Sequence, residues 1–342
     1  MLPKFRKYGL FAAIGLMLLA SCNKEVSESN FSVYAGNEMN DTSWSVSLPT
    51  SAAIHRIIDS TAGYQYKDNL IGSNGKTITF SDRLKLVFPP NAFINQSGTI
   101  ISGNVDIKVL VMDQKADFVR TLKSTRNGTN SLETDLGICI LASANGQALN
   151  IAPTASYQIR IGNEENIVKQ QMRLFRGEES GTISTQLLMD PLFTWQEASL
   201  NQFQLAIFKQ AGSAGSNDIE QYAISTNQLR WILVARPLTN IGSLGKLNVI
   251  LPPNFTNKNS LVFMTTDEYN LSIELKPEFN SRSFSAYMVP LQKKIHIVSI
   301  SLIGNQFYFS ESEIKALNNT PVVFLKPQKK SLKNILNELK KL

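Results

Sequence analysis

From Thr77 onward the chain is dominated by apolar and polar residues in alternation. Leu84, Leu86 and Phe88 fall on one face of a first stretch. Val105, Ile107, Val109 and Val111 fall on one face of a second, against Asn104, Asp106 and Lys108. A period of two over such runs predicts strands with one buried face. Between them, Pro89-Pro90 removes two backbone donors and ends the first strand, while Gly98 and Gly103 supply positions that tolerate positive φ. This connection is expected to be built, not loose. Further strands are predicted over 138–144, over 157–161 (Tyr157, Ile159 and Ile161 against Gln158 and Arg160), over 170–175 and over 203–209. Another is predicted within 222–236, where Leu229, Trp231, Leu233 and Ala235 alternate with Arg230, Ile232 and Val234. Asn145-Gly146 is a two-residue turn signal.

A second β unit is predicted over about 240–328, from Leu247, Val249 and Leu251, from Leu271, Ile273 and Leu275, and from Ile295 and Ile297. Gly304-Asn305 reads as its hairpin turn. Asn248-Val-Ile-Leu-Pro-Pro-Asn254 echoes the strand-Pro-Pro-Asn pattern of 85–91, through shared turn chemistry or through duplication. Ser310-Glu-Ser-Glu313 has the form of a capping box and predicts a short helix through Leu317. The tail 329–342 predicts an amphipathic helix with Leu332, Ile335, Leu336 and Leu339 on one stripe and Ser331 as N-cap, either docked on its own domain or lying on anionic lipid. Ala52–Ile58 fits a short helix or a strand. Long helical periodicity is otherwise missing, so the expected class is all-β, of sandwich type.

The first residues change the picture. Lys4, Arg6 and Lys7 precede an apolar segment, Tyr8 to Leu19, too short for an ordinary membrane span, which is the form of an export signal. It ends in Leu19-Ala-Ser-Cys22, which resembles the lipobox of bacterial lipoproteins. The resemblance implies cleavage before Cys22 and acylation of its thiol, with more than one chain giving a stable anchor. The expected location is therefore the cell envelope, at the outer membrane. Residues 22–50 are rich in Ser, Asn, Glu and Thr and read as a flexible tether whose span is on the order of 30 Å. With two cysteines in the chain, acylation of Cys22 would leave Cys139 without an intrachain partner, and its apolar neighbours mark it as a small buried hydrophobe.

Phe88-Pro-Pro-Asn-Ala-Phe93, Gly98, Gly103-Asn-Val105, Leu132-Glu-Thr-Asp-Leu-Gly137 and Ala144-Asn-Gly-Gln-Ala-Leu149 together resemble the ZU5-like domain of surface lipoproteins of the Bacteroidetes type. The resemblance spans roughly 75–165. It implies a β-sandwich used in scaffolding, adhesion or receptor architecture. Some animal relatives cleave themselves at His-Phe-Ser, a step this chain lacks, since His55 precedes Arg56 and His296 precedes Ile297. Met172–Gly177 and Trp195 resemble the middle segment of such lipoproteins. Trp231–Arg236 keeps the tryptophan of a motif found there without its polar residues.

Composition sets limits. Hydrophobic residues make up 43% and charged residues 18%, which excludes a disordered chain. The six lysines and one glutamate between Lys326 and Leu342 give +5 and the three leader cations +3, which against the formal +7 leaves −1 for the rest, so the body gives no reason to expect nucleic acid. No phosphate loop, zinc pattern or nucleophile elbow is present, and two histidines do not make a His-rich metal site. No cofactor and no metal is expected. The carboxylate pairs Asp113/Asp117 and Glu133/Asp135 read as solvated loop acids, with Ca²⁺ binding or glycoside chemistry as the sharper option. Of the tryptophans, Trp231 is expected in the core and Trp44, in the tether, is the exposed candidate for stacking on sugars.

The expected map is a signal peptide over 1–21, a tether over 22–50, a ZU5-like sandwich over 51–165, a β-rich segment over 166–236, a C-terminal β domain over 237–328 and the Lys-rich helix over 329–342. The expected function is a lipid-anchored, non-catalytic binding or structural protein. Its partners would be the membrane, through Cys22, and an envelope protein or glycan. The alternative is carbohydrate binding or processing by a loop carboxylate cluster.

Overall fold

Fifteen consecutive residues, Asn130–Ala144, form the longest strand among the described residues, and every residue from Ser131 to Ser143 is buried. A strand with one wet face cannot show that pattern. The computed structural model describes residues 40–342 apart from 164, 166, 181–189, 191, 200–202, 211–217, 240–241, 291–292 and 315–320. Among the described residues strands make up 52% and helices 9%, which places the chain in the all-β class as expected. Residues 42–342 form one compact body; Cys22 lies outside the described residues.

The order is α1 (Ala53–Thr61), β1 (Tyr66–Ile71), β2 (Lys76–Ser81), β3 (Leu84–Phe88), β4 (Phe93–Ile94), β5 (Asn104–Met112), α2 (Lys115–Arg120), β6 (Arg126–Asn127), β7 (Asn130–Ala144), β8 (Gln147–Ala148), β9 (Asn150–Ile151) and β10 (Tyr157–Ile161). Then come β11 (Arg173–Glu178), β12 (Thr194–Glu197), β13 (Phe203–Gln210), β14 (Ile219–Thr226) and β15 (Arg230–Pro237). The last part has β16 (Leu244–Ile250), β17 (Ser260–Thr266), β18 (Ser272–Glu278), β19 (Ser283–Pro290), β20 (Ile295–Ile303), β21 (Gln306–Ile314), β22 (Val322–Phe324), β23 (Gln328–Lys329) and α3 (Leu332–Leu339).

Three large sheets result. The first runs β1-β5-β7-β15-β11-β12, the second β13-β14-β10-β3-β2, and the third β22-β16-β19-β18-β17-β20-β21-β23. The first two enclose one core, with Leu136, Ile138 and Ile140 of β7 and Ile232 and Val234 of β15 facing Leu86, Ile159 and Ile224. The third sheet bends at β18, whose start pairs with β17 and whose end pairs with β19, so it curls around a core of its own that includes Val249, Met264 and Ile297.

A third core lies between the first sheet and the third. Cys139 of β7 and Trp231, Leu233 and Ala235 of β15 meet Leu261 and Phe263 of β17 and Val298 and Ile300 of β20, with residues of all three helices in the gap. This explains β7 and β15: each forms a wall between two cores, so both faces are apolar, as in strands covered on both sides.

The sheets cross the expected boundary between 165 and 166. β11, β12 and β15 extend the first sheet, and β13 and β14 extend the second. Residues 42–61, expected as the tether's end and the start of the sandwich, lie instead against the third sheet's part of the chain. Ser45 N donates to Asn257 Oδ1 at 3.1 Å, and Ile54 N donates to Lys258 O at 3.0 Å. Ala53–Thr61 is a helix, with Ile54, Ile57 and Ile58 buried at helical spacing. Trp44 is not free to stack on sugars as expected, because it packs on Phe284 at 5.1 Å and Phe279 at 6.2 Å.

Two further expectations need revision. Ser310–Glu313 forms part of β21, where Ser310 faces Ser299 and Glu313 faces His296; the pairing with β20 overrides the local capping pattern, and Leu317 lies outside the described residues. The tail helix is shorter, Leu332–Leu339, although Ser331 caps it as expected, accepting from Asn334 N at 3.2 Å. Ile335 and Leu339 are fully buried in the third core. At roughly 1.5–3 kcal/mol for each such side chain, this docking decides against an apolar stripe facing lipid.

The Pro-Pro corners share strand-ending chemistry but turn differently. Asn91 takes φ 56° and its N–H donates to Gly72 O at 2.7 Å. Gly75, at φ +64°, abuts this corner so closely that a Cβ would come within 2.5 Å of Phe88 O. At the second corner Asn254 keeps negative φ, and Phe255 N donates to Pro252 O at 2.9 Å.

Candidate functional site

The turn between β17 and β18, at Asp267–Asn270, reaches across to the first sheet and leaves a cleft of about 420 Å³. Asp113, Lys115, Asp135, Lys169 and Tyr269 are among its lining residues, and a neighbouring cleft bounded by Glu133, Arg236 and again Tyr269 continues it. Backbone and side chain stitch the seam. Thr134 N and Oγ1 donate to Asn270 O, Lys115 Nζ donates to Thr266 O at 2.7 Å, and Asn270 Nδ2 donates to Asp113 O at 2.9 Å.

The expected carboxylates lie here, but not as solvated loop acids. Glu133 and Asp135 sit on β7 at 6% and 3% exposure. Residues two apart on a strand share a face, and each is held there by its own partners. Glu133 accepts from Lys169 Nζ at 3.2 Å and from Arg236 Nε at 2.8 Å. Asp135 accepts from Tyr222 Oη, from Lys169 N at 3.1 Å and from Asn163 Nδ2 at 3.0 Å. Burial and the bond to Asp135 push the Tyr222 phenol well above its ordinary range. Asp117 closes a capping box on α2, with Gln114 as N-cap, and pairs with Arg120 at 3.1 Å. Asp113 pairs with Arg83 at 3.3 Å. These are charge-compensating roles: each of these four carboxylates is engaged by protein partners.

A second cluster lies in the third core. Lys123 is 1% exposed, and its Nζ sits 3.9 Å from the Phe193 ring centroid and 4.6 Å from that of Trp231. Burial brings its ammonium down to a pKa of about 8, against the pull of Glu179. Glu179 accepts from Arg230 Nε and Nη2, both at 2.8 Å, and from Trp231 Nε1 at 2.9 Å. Burial opposes its ionisation, but the Arg230 bonds outweigh this and hold the carboxyl below its usual range. Gly177 makes room for the arrangement, since a Cβ there would come within 2.5 Å of the Phe193 ring. Trp195 is also core, its Nε1 donating to Ser124 O at 2.9 Å. Cys139 is fully buried, and desolvation pushes its thiol up to about 12, the opposite of an activated nucleophile.

His296 stands between Asp267 at 2.8 Å and Glu311 at 3.1 Å on the third sheet, and His55 lies on α1. Among the described residues no group of three or more His, Cys, Asp or Glu is arranged to hold a metal. The residues sequence reasoning missed are Lys123 and the seam's crossing partners. A lone lysine in Leu122-Lys-Ser124 gives no sign of burial, because the rings that cover it come from positions 193 and 231. No protein-family model matches the chain, and no curated protein and no solved structure matches it either.

Proposed function

We propose that the protein is a lipid-anchored component of the cell envelope, held by acyl chains on Cys22, whose β body serves as a non-catalytic binding or scaffolding module of the ZU5-like kind. The observation that carries this reading is the state of the seam. The carboxylates best placed to do chemistry there, Glu133 and Asp135, are each engaged by two or more structural partners. A body whose sheets share a core is suited to transmit or resist load between an anchor and a bound partner. The leader and Leu19-Ala-Ser-Cys22 supply the anchor. Carbohydrate processing by a loop carboxylate cluster finds less support, because Glu133, Asp135, Asp113 and Asp117 are each engaged by protein partners.

The test is metabolic labelling of the full chain with an alkyne fatty acid in a bacterial host. Wild type should take up label and sediment with membranes, and Cys22→Ala should do neither. A Cys22→Ala protein that still labels and sediments rules the anchor out.

A further inference from the structure

The second sheet turns one face to the core and the other to solvent, and its register arranges the solvent face in rows. One row runs Thr77, Val87, Gln158, Ser225, Gln204 across all five strands. The next runs Thr79, Lys85, Arg160, Ala223, Ala206. Three properties set this face apart. Its outward positions in these rows hold two cations and no carboxylate. Its small residues, Ala223, Ser225 and Ala206, leave a depression of about 340 Å³ walled by Gln158, Gln204, Arg160 and Phe208. Finally, Arg160 lies over the Phe208 ring, 4.4 Å from its centroid, which fixes the guanidinium while leaving its N–H edge able to donate. Among the described residues the amides of Gln158 and Gln204 make no side-chain hydrogen bond.

We propose that this face binds an acidic polysaccharide, a glycan chain carrying uronate carboxylates. Charge complementarity selects an anion: Lys85 and Arg160 are adjacent in one row, and a fixed guanidinium takes a carboxylate through two N–H donors. The rest of the surface selects a sugar. Amide and hydroxyl groups, set one strand apart at about 4.8 Å, match the repeat of hydroxyl groups along a pyranose chain, and the low floor admits a ring against the backbone. The inference rests on reading the body as a binding module and is independent of the anchor.

Full-length protein in detergent is run in affinity gels containing polygalacturonate, neutral dextran or poly-glutamate, and the retardation gives relative affinities. Polygalacturonate is expected to retard the wild type more than either other polymer. Arg160→Gln should weaken that binding about tenfold or more, the worth of a charge-assisted pair. The double variant Gln158→Ala/Gln204→Ala should weaken it several-fold, while Lys246→Gln on the third sheet should leave it unchanged. No retardation by polygalacturonate, equal retardation by dextran, equal retardation by poly-glutamate, or wild-type affinity in Arg160→Gln would each overturn the proposal. If Arg160→Gln melts at a lower temperature than wild type, the amide double variant decides alone, and unchanged affinity there overturns it. Fatty-acid labelling at Cys22 is read separately, so failure here leaves the anchor to its own test.

Discussion

The seam between the first and third sheets and the solvent face of the second sheet are both rich in polar side chains, and they use them in opposite ways. At the seam Glu133, Asp135, Glu179 and Arg230 each hold partners within hydrogen-bonding distance, beneath or beside a hydrophobic core. On the open face Gln158, Gln204 and Lys85 project from strands whose inner residues form the core. Burial accounts for the difference. A polar group removed from water must find a protein partner or cost several kcal/mol, whereas an exposed one keeps water until a ligand replaces it. Polar residues at the seam therefore specify structure, and those on the face are open to recognition.

The largest expected effect breaks the seam. Glu179→Ala leaves the Arg230 guanidinium, with 9% of its side chain exposed, without its carboxylate. Removal of one member of a buried pair costs about 3–5 kcal/mol. Urea unfolding should show the loss as a lower midpoint at an unchanged m-value. A loss below about 1 kcal/mol would mean that the pair is solvated and the contrast with the open face is false.

Lys123 sharpens the comparison through pH. Its folded pKa, about 8, lies below the ordinary lysine value of 10.5, so between these pH values the unfolded chain binds more protons than the folded one. Stability from this group therefore rises with pH across that window, by on the order of 3 kcal/mol in full. The raised thiol of Cys139 acts in the opposite sense, losing stability from about pH 9 upward, so the lysine has to be isolated by difference. Lys123→Met removes the lysine's contribution. The stability of wild type relative to Lys123→Met should improve from pH 7.5 to 9.5, followed by urea titration at each pH; a constant difference would show that Lys123 does not feel the burial assigned to it.

The smallest effect belongs to the open face. Gln158→Ala/Gln204→Ala should change unfolding free energy by no more than about 0.5 kcal/mol, because no described partner is left unsatisfied. A larger loss would move these amides into the structural class occupied by the seam.

Legibility in the sequence followed the same division. The alternation at Tyr157–Ile161 already separated Gln158 and Arg160 from the core residues, and the structure places them on opposite faces. Gly304-Asn305 and Asn145-Gly146 form the hairpin turns expected of them, since turn geometry is decided within two residues. Ser331 caps its helix for the same local reason. The capping pattern at Ser310–Glu313 misled because nine residue pairs with β20 outweigh one local hydrogen-bond motif. Glu133 and Asp135 misled because a strand buried on both faces loses the period of two, leaving nothing to show that its acids are inside. Trp44 misled because the Phe279 and Phe284 rings that receive it lie far along the chain.

By itself, then, the sequence determined the all-β class, the strands with one wet face, the tight turns and the helix cap at Ser331, all of which rest on side-chain periodicity or on interactions spanning a few residues. Only the tertiary structure decided that β7 and β15 divide two cores, that the C-terminal helix docks in the third, that Lys123 is buried between rings, and that the strands of 166–236 complete the sheets begun before them. Those outcomes depend on apolar surfaces from distant segments finding one another, and that pairing is set by the shape and area each surface can bury, which no local pattern records.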